Sequence, residues 1–258
     1  LDPGDAVLCE SPTYLGAINA FAAYEPRFVE VDTDADGMVP EALERALTSE
    51  PDVKFIYAIP DFQNPSGRTW TLARRQALVD IAARHGIPVI EDSPYAELRF
   101  EGEPLPALQA VDTHDNVVFL GTFSKTFCPG LRCAWLSAPG FLREKYVMMK
   151  QGADLHTSTL VQRQMATYLE LYGLEANVST VIDVYRERRD IMLGVFEAEM
   201  PAGEHYTRPE GGLFLWLTLP EQVNARELLE KSLEQHVAFV PGGAFYPNGG
   251  NEIGRAHV

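Results

Sequence analysis

The sequence predicts an α/β fold in three layers, with helices on both faces of a mostly parallel sheet, followed by a smaller α+β domain. Two observations support this prediction. Over about the first 140 residues, short apolar runs alternate with helix-period segments, and most runs lack the apolar–polar alternation of a half-exposed strand. After about Gly140, long helical stretches follow one another with only short apolar runs between them.

Six apolar runs are predicted to form the sheet, and three helix-period segments connect the first four of them. The strands cover residues 6–10, 27–31, 53–59, 87–91, 116–120 and 133–138, and the helices cover residues 14–23, 41–48 and 69–85. Pro40 occupies a favourable first helical position, and Gly86 stands where a left-handed C-cap is expected. Such alternation builds a parallel sheet whose ligand lies near the carboxyl ends of the strands.

The later part of the chain is predicted to be mainly helical. Helices are expected at residues 143–151, 159–171, 178–200 and 225–235. The segment 206–208 and the apolar run 213–219 lie between the last two helices, and a strand is predicted at 237–240, after the last one. This change of pattern indicates a second domain that begins near residue 175. We therefore expect a large domain of residues 1–174 and a small domain of residues 175–258.

Composition and charge narrow the function classes. The formal net charge of −16 argues against nucleic acid as a partner, because phosphate contacts need a Lys/Arg surface. No apolar run approaches the ~18–20 residues that cross a bilayer, so no membrane partner is expected. The odd set of Cys9, Cys128 and Cys133 is no disulfide framework and favours the reducing cytoplasm. The six histidines form no ligand pair, so no metal site is predicted.

Both ends of the sequence are unusual for a domain. A turn at residues 1–5, without a starting Met, leads directly into a strand that resembles a central one. At the other end, residues 253–258 continue no visible pattern. We interpret the chain as truncated at both ends, with residues 253–258 as translated adapter sequence.

A string that is rich in hydroxyl groups and cations follows the strand predicted at 116–120. It runs from Gly121 to Arg132 and contains Thr122, Ser124 and Lys125. A lysine in a partly buried cleft can form a Schiff base with a carbonyl group, and hydroxyls beside a guanidinium suit a phosphate dianion. Taken alone, the string is more typical of an ordinary loop that exposes a solvated lysine.

Three other strand ends have polar or aromatic residues. Asp92 could hold a protonated heterocycle nitrogen while Tyr95 donates to an oxygen, but both are also compatible with a turn cap. Asn64 lies in a proline-rich loop that could be purely structural, and Tyr14 could simply be a packing residue. The ordered appearance of Tyr14, Asn64, Asp92 and Lys125 at four strand ends is more informative than any one of them.

Together these strings resemble the fold type I pyridoxal-phosphate aminotransferases of class I/II. The motifs are DPGD, PTY, QNPSG, EDSPY, TFSK followed by GLR, RPEGGLFLW and PGGAFY, from Leu1 to about Glu252. The branch that they resemble most contains 2-aminoadipate, kynurenine and aromatic or branched-chain aminotransferases. The resemblance implies pyridoxal 5′-phosphate (PLP) as cofactor, an L-amino acid and a 2-oxo acid as substrates, and a homodimer with sites built at the subunit interface.

The resemblance also implies a role for each matching residue. Lys125 matches the lysine that forms the Schiff base and moves the substrate's α-proton. Asp92 matches the aspartate paired with the pyridinium nitrogen. Asn64 and Tyr95 match the groups that hydrogen-bond the phenolic oxygen of the ring, and Tyr14 matches the aromatic side chain that stacks on it.

Thr122, Ser124 and Arg132 match the phosphate anchors, with threonine where relatives often have serine. Two family features are absent. The glycine/serine/glutamine turn that donates amides to the phosphate would precede Leu1, and residues 253–258 replace the strand with the carboxylate-binding arginine. We do not assign that role to Arg255.

The resemblance implies a ping-pong aminotransferase. Two alternatives remain open: an aminotransferase-like sensing domain of a winged-helix transcription regulator, and a sibling PLP enzyme such as a carbon–sulfur lyase. The remaining motifs do not define the preferred amino acid.

Overall fold

A seven-stranded sheet organises the computed structural model, which describes residues 1–201, 205–220 and 222–249 and the backbone of 256–257. The strands are β1 (Ala6–Ser11), β2 (Arg27–Asp34), β3 (Gly37–Met38), β4 (Val53–Ala58), β5 (Val89–Asp92), β6 (Val117–Thr122) and β7 (Ala134–Ser137). Their spatial order is β3-β2-β1-β4-β5-β6-β7. The sheet is mixed: β1, β2, β4, β5 and β6 run parallel, whereas β3 and β7 are antiparallel to their neighbours.

The helices confirm the α/β prediction. They are α1 (Leu15–Ala22), α2 (Pro40–Ser49), α3 (Leu72–His85), α4 (Leu108–Val111), α5 (Gly140–Ala153), α6 (Thr159–Tyr172), α7 (Glu175–Glu199) and α8 (Ala225–Glu234). Pro40 begins α2 as predicted, and Gly86 ends α3 in the left-handed region at φ 67°. The short strands β8 (His205–Tyr206), β9 (Phe214–Leu215), β10 (Leu217–Thr218) and β11 (Ala256–His257) form two small two-stranded sheets.

Apolar side chains cover both faces of the sheet around β1 and β4. On one face, Leu8 and Ile56 pack with Leu43 of α2 and Leu78 of α3. On the other face, the cluster consists of Ala17, Tyr57, Ile59, Phe62, Tyr95 and Phe214. Because every residue of β1 except Ser11 is buried, this strand has the two-sided burial that its continuous apolar run predicts.

Two strand predictions need correction. The segment at 133–138 forms β7, but this strand is antiparallel and all four of its residues are exposed, so it is an edge strand rather than a covered one. The strand predicted at 237–240 is wrong, because no described strand pairs with this apolar segment. A short apolar run needs a hydrogen-bonding neighbour to become a strand.

The C-terminal interpretation lies largely outside the described residues. Of residues 253–258, the structure describes only the backbone of β11, which pairs antiparallel with β9. Among the described residues, no helix is both long and apolar enough to span a bilayer. The same part of the chain contains no cluster of three or more His, Cys, Asp or Glu side chains that could hold a metal ion.

Candidate active site

The four predicted strand ends meet at one edge of the sheet. β1, β4, β5 and β6 are successive neighbours and run parallel, so the loops that follow them emerge on the same side. Tyr14 follows β1, Asn64 follows β4, Asp92 ends β5, and Lys125 follows β6. Carboxyl ends of parallel strands are where α/β sheets bind ligands.

Asp92 is a partly buried carboxylate that lines a cleft of about 740 Å³. Tyr57 of β4 donates a hydrogen bond from Oη to Asp92 Oδ2 at 2.6 Å. Burial raises the pKa of Asp92, and the Tyr57 hydrogen bond acts in the opposite direction. Burial and the nearby carboxylate together raise the pKa of Tyr57 well above its usual value. The tyrosine is therefore a neutral donor at physiological pH.

Asn64 and Tyr95 lie close together above the sheet edge. Asn64 Nδ2 and Tyr95 Oη are 3.5 Å apart, a long hydrogen bond. Tyr95 is buried, and its ring meets Phe214 edge-on with centroids 5.4 Å apart. The structure thus brings together the two groups to which the family resemblance gives one cofactor oxygen as a shared partner.

Buried polar contacts hold the Asn64 loop. Glu10 at the end of β1 accepts hydrogen bonds from Ile59 N (2.9 Å) and Trp70 Nε1 (3.0 Å). Gln63 donates to Pro12 O (2.8 Å) and accepts from Ser66 N (2.7 Å). Because Glu10 is completely buried, its pKa rises to about 8, in spite of these hydrogen bonds. The loop is therefore tied to β1 on both sides of Asn64.

The Gly-Gly pair of the RPEGGLFLW string packs against this same loop. A Cβ atom at Gly211 would lie 2.3 Å from the Phe62 ring, and one at Gly212 would lie 2.4 Å from Phe62 Cβ. Gly212 also adopts φ 76°, in the left-handed region. This close approach explains why both positions lack a side chain, and it brings residues 211–212 next to the loop that contains Asn64.

The hydroxyl groups after β6 form a compact pair. Thr122 Oγ1 donates to Ser124 Oγ at 3.0 Å, and the Ser124 backbone N–H donates to Thr122 Oγ1 at 3.1 Å. Thr122 lines the same cleft as Asp92. Two hydroxyls and a backbone amide at a strand end are suitable donors for an anionic group.

Lys125 and Arg132 lie on the loop after this pair, and both side chains are exposed. This corrects the expectation of a partly buried cleft around Lys125: the loop lies beside exposed β7, so little protein covers it. Arg132 has φ 52° and donates from Nη1 to Pro129 O at 3.3 Å. The guanidinium group of Arg132 is therefore hydrogen-bonded to a backbone carbonyl of its own loop.

Tyr14 is at the N-cap of α1 and is 37% exposed. Its ring lies against Gly16, where an added Cβ would be 2.4 Å from Tyr14 Cζ. Gly16 therefore lets the ring fold back over the first turn of its own helix. The structure places Tyr14 at the predicted sheet edge, in contact with α1.

Sequence reasoning missed the side chains from β4 and α5 that surround Asp92. Tyr57 donates to it, and Arg143, Tyr146 and Lys150 of α5 line the same cleft. The signal for Tyr57 was a phenolic hydroxyl near the carboxyl end of a mainly apolar strand, which needs a partner when buried. No comparable signal marks the α5 residues, because charged positions on an amphipathic helix usually face water.

Comparisons with known proteins define the family. The family model for aminotransferase class I and II matches residues 1–257, and the chain therefore belongs to this family. It is similar to the aromatic-amino-acid aminotransferase 1 of Thermococcus litoralis, with 43% identity over 95% of this chain and 60% of that protein. The 2-aminoadipate transaminase of Thermus thermophilus is 42% identical over 98% of this chain and 64% of its own length.

A solved structure has the same fold. The kynurenine aminotransferase of Pyrococcus horikoshii, crystallised with PMP, superimposes with a TM-score of 0.95 at 38% identity, covering 100% of this chain and 65% of that one. The chain thus spans about 60–65% of the length of the relatives that it matches. An HTH-type transcriptional regulator of Escherichia coli is also similar, with 34% identity over 95% of this chain and 52% of its own length.

Proposed function

We propose that the protein containing this chain is a PLP-dependent aminotransferase that moves an amino group between an L-amino acid and a 2-oxo acid. One observation carries the proposal: the residues that match the family's motifs converge at one sheet edge, with Asp92 and Thr122 in one cleft and the Asn64–Tyr95 pair on neighbouring loops. Relatives of 42–43% identity are named as aminotransferases, which supports the same conclusion.

The residues at the sheet edge fit the proposed cofactor. A carboxylate in the cleft matches a protonated ring nitrogen, and the Asn64–Tyr95 pair matches a ring oxygen. The Thr122–Ser124 pair, with Arg132 on the following loop, matches a phosphate group. When bound, PLP supplies an aldehyde carbon and a ring that accepts electrons from the substrate.

Each of these side chains would have a distinct task in the reaction. Lys125 would supply the primary amine that holds the cofactor, and the same amine, when free, would take the α-proton of the substrate and donate it to the former aldehyde carbon of the cofactor. Asp92 would keep the ring nitrogen protonated. Tyr14 would pack on the ring, and Arg132 would bind two phosphate oxygens after turning away from Pro129 O.

Replacing Lys125 by alanine tests the proposal most directly. We expect Lys125→Ala to abolish transamination and the visible absorbance of the lysine-bound cofactor, because the substitution removes the amine that would bind the cofactor. Lys231→Ala, an exposed lysine on α8, is the matched control and should retain both. Amino-acid formation from a 2-oxo acid measures the first effect, and an absorbance spectrum measures the second. Turnover by Lys125→Ala would refute the assignment.

The finer properties of the protein are also proposals. We infer an aromatic amino acid, 2-aminoadipate or kynurenine as the amino donor, because the similar proteins are named for these substrates. A homodimer is supported by the apolar side chains that α5, α6 and α7 expose. The free cysteines are compatible with the cytoplasm. Residues 1–174 would form the large domain and residues 175–258 the small one.

A second candidate is a sensing domain in a transcription regulator. The similarity to the Escherichia coli HTH-type regulator favours it, since the match covers 95% of this chain. Such a protein would bind PLP or an amino acid without needing turnover. Sequencing upstream of Leu1 in the gene separates the two candidates, because only the regulator would have a basic winged-helix segment there.

A further inference from the structure

The Tyr57 hydroxyl group lies where it can control the Asp92 carboxylate. Its Oη donates to Asp92 Oδ2 at 2.6 Å, and within the described part of the chain it is the one hydrogen-bond donor to this carboxylate. The register of the sheet produces the contact. Tyr57 pairs with Ile90, so Asp92, two residues further along β5, presents its side chain on the same face.

Packing immobilises Tyr57. Its side chain is only 2% exposed and belongs to the cluster with Ala17, Ile59 and Phe62. Its ring meets Phe21 of α1 edge-on, with centroids 5.5 Å apart and an interplanar angle of 78°. The position of the hydroxyl is therefore determined by the core, and the hydrogen bond requires little additional ordering of the side chain.

The electrostatic surroundings of Asp92 let this hydrogen bond influence whether the carboxyl group is charged. Burial raises the pKa of Asp92 and thus favours the neutral acid, whereas donation from Tyr57 favours the carboxylate. Glu10 of β1 and Tyr95 after β5 are the other titratable groups that act on Tyr57. From α5, two cations, Arg143 and Lys150, and the phenol of Tyr146 line the cleft that Asp92 shares.

We propose that Tyr57 is a positioning residue that acts through Asp92, occupying Oδ2 so that the second carboxylate oxygen, Oδ1, is available to the ring nitrogen of the cofactor. The proposal rests on the proposed function of the site. The hydrogen bond also stabilises the charged form of Asp92. Only the charged form can keep the ring nitrogen protonated, so Tyr57 contributes both geometry and charge.

The variant Tyr57→Phe removes this hydroxyl and preserves the ring. We expect its PLP affinity to fall about tenfold at neutral pH, the size expected for a hydrogen bond to a charged group. On acidification, Tyr57→Phe should lose its affinity for PLP at a higher pH than the wild type does, because Asp92 would be protonated more easily in the variant. In the cofactor-free protein, carbon-13 NMR should show the Asp92 carboxyl titrating at a higher pH than in the wild type.

Two further variants separate positioning from packing. Phe21→Leu removes the ring contact but retains the hydroxyl, so it should lower the melting temperature while the Asp92 titration stays at its wild-type pH. In an Asp92→Ala background, Tyr57→Phe should no longer change PLP affinity, because the carboxylate that accepts its hydrogen bond is gone.

The outcomes distinguish this inference from the proposed function. A wild-type protein that does not bind PLP would overturn the proposed function. Wild-type binding that Tyr57→Phe leaves unchanged would overturn the inference about Tyr57 alone. An equal loss of affinity from Tyr57→Phe with and without Asp92 would also overturn it, since Tyr57 would then act by another route.

Discussion

Two regions of the molecule differ in how far their apolar side chains are buried. The inner region, which we define as β1–β6 with α2 and α3, buries apolar side chains such as Leu8, Leu43 and Leu78 almost completely. The outer region, which we define as β7 with α5, α6 and α7, exposes Phe141 at 68%, Leu160 at 65% and other large apolar residues. Within the outer region's helices, only Met165 and Arg189 are buried.

The difference shows that an apolar stripe on a helix does not by itself predict which surface packs against it. The α3 stripe packs on the sheet through Leu78, Val79 and Ile81. The helices α5 and α6 also contain apolar residues, but no comparable layer from the described part of the chain lies over them. Large exposed apolar patches usually mark contact with another protein surface, which supports the proposed homodimer.

The largest expected contrast concerns ion pairs. Arg75 of α3 is completely buried and donates to Asp61 through Nη1 (3.0 Å) and Nη2 (2.7 Å). Replacing Arg75 by methionine removes both short hydrogen bonds to the buried Asp61 and leaves it only the longer ion pair with Arg99 Nη2, at 3.6 Å. This loss should cost about 3–5 kcal/mol of unfolding free energy.

The matched outer-region variant is Lys150→Met, which removes an exposed pair with Asp154 on α5. It should cost less than about 1 kcal/mol. Urea denaturation of both variants measures the difference. Equal losses of unfolding free energy would show that ion pairs contribute equally to stability in the two regions.

The next contrast concerns apolar packing. Leu8→Ala in β1 should cost about 2–5 kcal/mol, because it creates a cavity in a filled core. Leu160→Ala on α6 should cost about 0.5 kcal/mol or less at low protein concentration, since this side chain is mostly exposed. Thermal unfolding at several concentrations sharpens the comparison. A cost for Leu160→Ala that grows with concentration indicates that a second copy covers the outer region, whereas a large cost at every concentration contradicts its exposed state.

The smallest expected effect, measured per pH unit, is the dependence of the unfolding free energy on pH in the inner region. Burial raises the pKa of Glu10 to about 8 and that of Glu91 to about 7, both from 4.5. Between about pH 4.5 and 8 the folded state therefore binds more protons than the unfolded state, and stability should fall as the pH rises, by at most about 1.4 kcal/mol per pH unit for each group.

Glu10→Gln should flatten this slope, because glutamine has no proton to lose. Glu187→Gln on exposed α7 is the outer-region control and should leave the slope unchanged. Urea denaturation at several pH values in this window tests both variants. A slope that survives Glu10→Gln undiminished would show that Glu10 is not the group responsible.

The sequence by itself determined the parts of this protein that depend on near neighbours. Pro40 begins α2 and Gly86 ends α3 because helix termini are set by a few adjacent residues. The order of Asn64, Asp92 and Lys125 after apolar strands was also visible, since parallel strands place their carboxyl ends at one edge.

Only the tertiary structure decided which distant groups meet and which stay exposed. Tyr57 reaches Asp92, 35 residues away, because the register of β4 against β5 puts both side chains on one face. Phe62 meets Gly211 because the loop after β4 and the turn at residues 211–212 approach closely. Whether β7 is covered depends on the surface beside it, and a local pattern contains no information about that surface.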